Sequence, residues 1–127
     1  RLITARQCAD QQLILEYGTA NTIGSPNLHG AAWCVDAWCL GAHGVIPWQT
    51  IGTPQAWKQP EETALFYPTE SGKPVPSLRL KAYRRGQQDV EYLVQLAAVA
   101  GLSQLELGQL VRAHLQLQPK RGGTGFV

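Results

Sequence analysis

Few side chains in this sequence combine a reactive type with a telling position. Glu16 and Tyr17 end the apolar run LILEY (residues 13–17), and Asn21 follows shortly after Gly18. Trp48 and Gln49 close a second β-rich segment, and Trp57 lies in the long stretch after it. Aromatic rings in such places stack on the apolar faces of ligands, and amides exchange hydrogen bonds with hydroxyl groups. Glu61 and Glu62 form an acidic pair, but they follow Pro60 in a polar loop and read as solvated surface. The histidines (His29, His43, His114) and cysteines (Cys8, Cys34, Cys39) show no HxxxH or paired Cys/His spacing, so neither a metal nor a cofactor is expected. Cys34 and Cys39 stand five apart on one predicted helix and point in different directions, as buried thiols rather than a disulfide.

These residues need elements to hold them. Residues 13–17 read as a strand buried on both faces, as parallel strands are. Residues 6–12 read as the end of a preceding helix. Ser25 and Pro26 are suited to open a helix in which Leu28, Ala31, Ala32, Val35, Trp38, Cys39 and Ala42 recur at helical spacing, with Gly41 or Gly44 as its stop. A second strand is expected over 43–51, where Pro47 marks a bulge or a strand end because it cannot donate to a ladder. Residues 53–75 lack periodicity but carry Trp57, Phe66 and Tyr67, the mark of an ordered loop. Ser77 caps a helix with Leu78, Ala82, Val90, Leu93, Leu96 and Ala97, ending at Gly101. Ser103 and Glu106 form a capping box that opens a last helix with Leu107, Leu110, Val111 and His114. Residues 120–125 read as a frayed tail.

Strand, helix, strand implies an α/β fold with parallel pairing. Two strands leave open edges and one apolar face, so the pattern reads as part of a larger sheet or barrel. The missing strands would come from a longer native chain, a second polypeptide or a homo-oligomer. Composition narrows the function classes. The 127 residues are 44% hydrophobic, enough for a packed core, and eleven basic against nine acidic residues give only +2. No basic face is visible, which argues against nucleic acid. No apolar run approaches the ~20 residues that span a bilayer, so no membrane partner is expected.

Residues 77–93 (SLRLKAYRRGQQDVEYL) resemble the end of the DUF4091 family, whose domain is similar to the catalytic barrel of glycoside hydrolase family 123. The features carrying the resemblance are the PSLRL opening, the Arg-x-Gly-x-x-Asp middle and the Glu-Tyr-Leu close. Three further segments agree in order: an aromatic helix (32–38), GAHGVIPW (41–48) and LFYP (65–68). The sequence departs from the pattern at Pro47 and where an arginine is expected at the start of the aromatic helix, with His29 nearby. The resemblance implies the C-terminal portion of a (β/α)₈ TIM-type barrel: residues 1–101 supply the last two strand-helix units, with a closing helix over 76–96, and residues 102–127 supply an extra helix and tail.

In such barrels the site lies at the C-terminal ends of the strands. The resemblance therefore makes Tyr17, Asn21, Trp48, Gln49 and Trp57 candidate substrate-binding residues for a carbohydrate. The family's adjacent acidic pair, acting with the substrate's own acetamido group, is absent from this chain. The segment around Glu16 also resembles the strand-seven nucleophile of many retaining glycosidases, so two readings stand: Glu16 as catalytic nucleophile, or as a buried glutamate paired with an arginine inside the barrel. Arg79, Arg85, Gly86 and Asp89 are expected to be structural, Arg85 and Asp89 pairing along one helical face and Gly86 packing against another backbone. The chain is thus expected to be a partial glycosidase-like barrel, inactive alone. The alternatives are a non-catalytic module that dimerises through its open sheet and binds glycan or protein, and a structural remnant without a ligand.

Overall fold

A computed structural model of the chain describes residues 12–59 and 63–116. In chain order the elements are β1 (Leu15–Gly18), α1 (Leu28–Cys39), β2 (Gly44–Pro47), a 3₁₀ turn (Pro54–Trp57), β3 (Phe66–Tyr67), β4 (Val75–Pro76), α2 (Leu78–Ala100) and α3 (Gln104–Leu115). The fold is mixed α/β. β1 and β2 run parallel, from Leu15 opposite Gly44 to Gly18 opposite Pro47, and β3 and β4 form a small antiparallel ladder.

Helix α1 is the centre of the molecule because it is apolar on nearly every side. Trp33, Cys34 and Ala37 pack toward Val45 of β2 and Tyr83 of α2, while Val35, Trp38 and Cys39 pack with Ala97 of α2 and Leu107 of α3. Such dense cover requires close backbone approach at two crossings. At Gly86 of α2, a Cβ would stand 2.7 Å from Ala31 Cα, and at Gly108 of α3 it would stand 2.5 Å from the Cys39 carbonyl oxygen. Only glycine fits at either crossing.

The helix ends follow local chemistry. α1 closes in a Schellman arrangement: Gly41 takes φ 89°, its N–H donates to Trp38 O, and Ala42 N–H donates to Ala37 O, both at 2.9 Å. α2 begins where Ser77 Oγ accepts from Leu80 N–H and ends at Gly101, φ 65°. The capping box at Ser103 and Glu106 is complete.

Several expectations are corrected. α1 starts at Leu28, not at a cap on Ser25, because Ser25 Oγ is engaged with Thr22 Oγ1 at 2.6 Å in the preceding turn. The second strand stops at Pro47, where the proline interrupts the ladder. The stretch 53–75, expected as one ordered loop, also holds the 3₁₀ turn, β3 and the start of β4. The first strand is not buried on both faces: Leu13, Leu15 and Tyr17 are exposed, since among the described residues no further strand or layer covers them. Leu78, Leu96 and Leu110 are likewise exposed, because they point away from the α1 contact. The predicted helix end at 6–11, Cys8, the pair Glu61 and Glu62, and the tail at 120–125 lie outside the described residues.

Candidate functional site

The two parallel strands carry their side chains on alternate faces, and the helices select between them. Glu16 and Val45 face α1. Leu15, Tyr17, Ile46 and Trp48 face the other way and remain exposed, Tyr17 by 60% and Trp48 by 53%. At the C-terminal ends of the strands the Tyr17 and Trp48 rings meet edge to face, centroids 5.9 Å apart and planes at 83°. Trp48 N–H donates to Gly18 O at 2.8 Å, which fixes the second ring beside the first. The pair makes a corner of two aromatic surfaces over an apolar floor of Leu15 and Ile46, suited to stacking against a ring with an apolar face.

Asn21, a candidate from the sequence, is placed differently. It is buried, 1% exposed, and its amide is occupied. Nδ2 donates to Trp48 O at 3.2 Å and to Thr63 O, Oδ1 accepts from the Tyr83 hydroxyl at 3.3 Å, and the Asn21 carbonyl accepts from Arg79 Nη1 at 2.6 Å. Asn21 therefore ties together the loops after β1 and β2, the long connection and α2, and has no amide proton left for a ligand. Burial pushes the Tyr83 hydroxyl well above the ordinary tyrosine value, so it stays a donor.

Gln49 adopts a left-handed conformation, φ 53°, and its Oε1 accepts from Thr63 Oγ1 at 3.0 Å. The strain at this non-glycine position turns the chain sharply after Trp48. Trp57 joins a second aromatic pair with Tyr67, centroids 5.6 Å apart, and its indole N–H donates to Pro68 O. Arg79 Nη2 donates to the Tyr67 hydroxyl at 3.1 Å, so one guanidinium connects the Tyr67 pair to the Asn21 loop beneath Trp48. Arg85 and Asp89 form an exposed i,i+4 pair at 2.9 Å.

Glu16 lies on the helix side of β1, away from the aromatic corner. Its carboxyl group accepts from the Trp33 indole, while Oε2 is buried without a hydrogen-bond partner. Burial pushes its pKa above the ordinary value and the like charge of Asp36 adds to this, against the Trp33 hydrogen bond and the Arg112 charge. Arg112, the arginine whose charge acts on Glu16, belongs to α3. In this position the carboxylate cannot reach a ligand seated on Tyr17 and Trp48.

Sequence reasoning named Tyr67 only as a loop aromatic and missed Ile46, Thr63 and the Asp36–Arg112 contact. The parity of Ile46 with Trp48 could have found the first of the apolar floor residues, whereas Asp36 and Arg112 are joined only by the tertiary fold. Among the described residues no group of three or more His, Cys, Asp or Glu side chains could hold a metal ion, and no helix is long and apolar enough to cross a membrane. No protein-family model, curated protein or solved structure matches the chain.

Proposed function

We propose that the chain is the C-terminal portion of a glycoside-hydrolase-like (β/α)₈ barrel, of the kind its DUF4091-like segments imply, and that Tyr17 and Trp48 form an aromatic wall of its carbohydrate site. The observation that carries this reading is the exposed edge-to-face pair at the C-terminal ends of two adjacent parallel strands, on the face that a barrel would enclose. The exposed Leu15 and Ile46 beneath it are where further strands would pack. Glu16 is on the opposite face, so the acid and base of any hydrolysis come from residues other than this one. The role left to this chain is binding and orientation of the sugar.

The test is titration of the chain with N-acetylhexosamine oligosaccharides, followed by tryptophan fluorescence and by saturation-transfer NMR. Binding that is lost in Trp48→Ala and weakened in Tyr17→Ala, but kept in Glu16→Gln, is the expected result, with no hydrolysis of aryl glycosides. Absence of binding, or equal binding by Trp48→Ala, overturns it. The same exposed face favours a second reading, a module that dimerises through its sheet. In that case sedimentation shows a concentration-dependent dimer that Ile46→Lys abolishes, with no effect of sugar.

A further inference from the structure

Between the 3₁₀ turn and the turn at 69–72, where Gly72 N–H donates to Thr69 O at 3.0 Å, lies an open cleft of about 740 Å³. Ordinary small-ligand sites span roughly 300–1,000 Å³. Pro54, Trp57 and Pro68 give the cleft its apolar lining, and Lys58, Glu70 and Ser71 border it with polar groups. It shares no lining residue with the Tyr17–Trp48 corner.

Trp57 is held there as a platform. Its ring lies 5.6 Å from that of Tyr67, and its indole N–H donates to Pro68 O. The Tyr67 hydroxyl is itself anchored, accepting from Arg79 Nη2 at 3.1 Å. The Trp57 ring is thus tethered by its polar edge, yet the residue remains 59% exposed. What the tether leaves for a ligand is a ring face.

The polar groups decide which ligand suits that face. A proline-rich peptide stacks on aromatic grooves, but its carbonyls have no internal partners and must meet donors. Pro54 and Pro68 have no N–H, and that of Trp57 is already given to Pro68 O. The Thr69 hydroxyl donates to Lys73 O at 2.5 Å, so the 3.0 Å contact between Ser71 and Thr69 uses the Ser71 proton. Among the described side chains of the cleft, the Lys58 ammonium is the donor that remains. A neutral pyranose is better matched. Its C–H face stacks on Trp57, and its hydroxyls donate to the Glu70 carboxylate and accept from Lys58. A charged ring gains at one of these two groups and loses at the other.

We propose that the Trp57 cleft is a second carbohydrate-binding site, which takes a neutral pyranose by stacking on Trp57. The choice of a sugar rests on the proposed function. The site does not, since it uses none of the residues of the other corner.

The experiment titrates the full chain with a neutral N-acetylglucosamine trisaccharide and, separately, with a decaproline peptide. NMR follows the rings of Tyr17, Trp48 and Trp57 and the amides of Lys58, Glu70 and Ser71. The expected result is saturable shifts at the cleft with the sugar. They weaken about tenfold or more in Trp57→Ala, and are kept in Trp57→Phe, which retains a ring face, and in Trp48→Ala. Sugar shifts confined to Tyr17 and Trp48 overturn the second site and leave the proposed function standing. Shifts at the cleft with none at Tyr17 and Trp48 uphold the second site and overturn the proposed function. No shift at either place overturns both. Cleft shifts from the peptide and none from the sugar, or equal sugar affinity in Trp57→Ala, also overturn the second site. Should Trp57→Ala disturb the fold, the cleft shifts of the unsubstituted chain, sugar against peptide, decide the matter.

Discussion

Gly86 and Ala31 share the closest helix contact of the sheet-side core: a Cβ added to Gly86 would lie 2.7 Å from Ala31 Cα and 2.8 Å from Cys34 Cβ. Gly86→Ala gains up to about 1 kcal/mol of helix propensity but forces α1 and α2 apart, an overpacking cost of about 1–3 kcal/mol. The net expectation is a lower Tm, checked by calorimetry. A Tm that rises would mean that the crossing gives way without loss.

Asn21→Ala is expected to be the most damaging single polar change. It strips partners from Trp48 O, Thr63 O and the Tyr83 hydroxyl at once, leaving at least one of them buried and unpaired. Each orphaned group costs about 1–3 kcal/mol, so a loss of at least about 2 kcal/mol in urea unfolding is expected. Asn21→Asp, which keeps the shape but loses the amide donors, should be nearly as harmful.

Arg85→Ala and Asp89→Ala should matter little, although both residues belong to the motif by which residues 77–93 attract notice. Their pair is exposed, with side chains 71% and 35% accessible, and contributes ~0.5 kcal/mol or less. A double-mutant cycle measured at low and high salt checks this. Arg79→Lys should cost more, because a lysine cannot span the Asn21 carbonyl and the Tyr67 hydroxyl with two separate nitrogens.

Thiol reactivity should report folding. Burial pushes Cys34 and Cys39 up to about 11, so at pH 8 only about one thiol in a thousand is ionised even before access is considered. In a Cys8→Ser background, both are expected to resist an aromatic disulfide reagent until denaturant is added. Rapid labelling of the native protein would show that α1 is not enclosed.

The elements that were legible in the sequence are those whose signals are local. Gly41, Gly101, Ser77 and the Ser103–Glu106 box mark helix ends through contacts within a few residues, and the structure has them there. Ser25 was misleading because Thr22, also local, competes for its hydroxyl. The site was less legible. Alternation places Glu16 and Tyr17 on opposite faces of β1, but only the docking of α1 decides which face is covered. Asn21 resembles a loop amide by sequence, and its partners at positions 48, 63, 79 and 83 have no common spacing. Pro47 carried its meaning correctly as a strand end.

The amide of Gln104 has a bearing on how the chain is made. It supplies the donor for two carbonyls at the end of α1, some sixty residues behind it in the sequence, and Arg112 supplies the counter-charge for Asp36. During synthesis from the N-terminus, the strand-helix-strand unit therefore emerges with its central helix unfinished. It waits in that state until α3 clears the ribosome. The interval between translation of Ala42 and of Arg112 is the period in which the apolar flank of α1 is open to wrong partners, and a stop codon placed before Gln104 would make that exposure permanent.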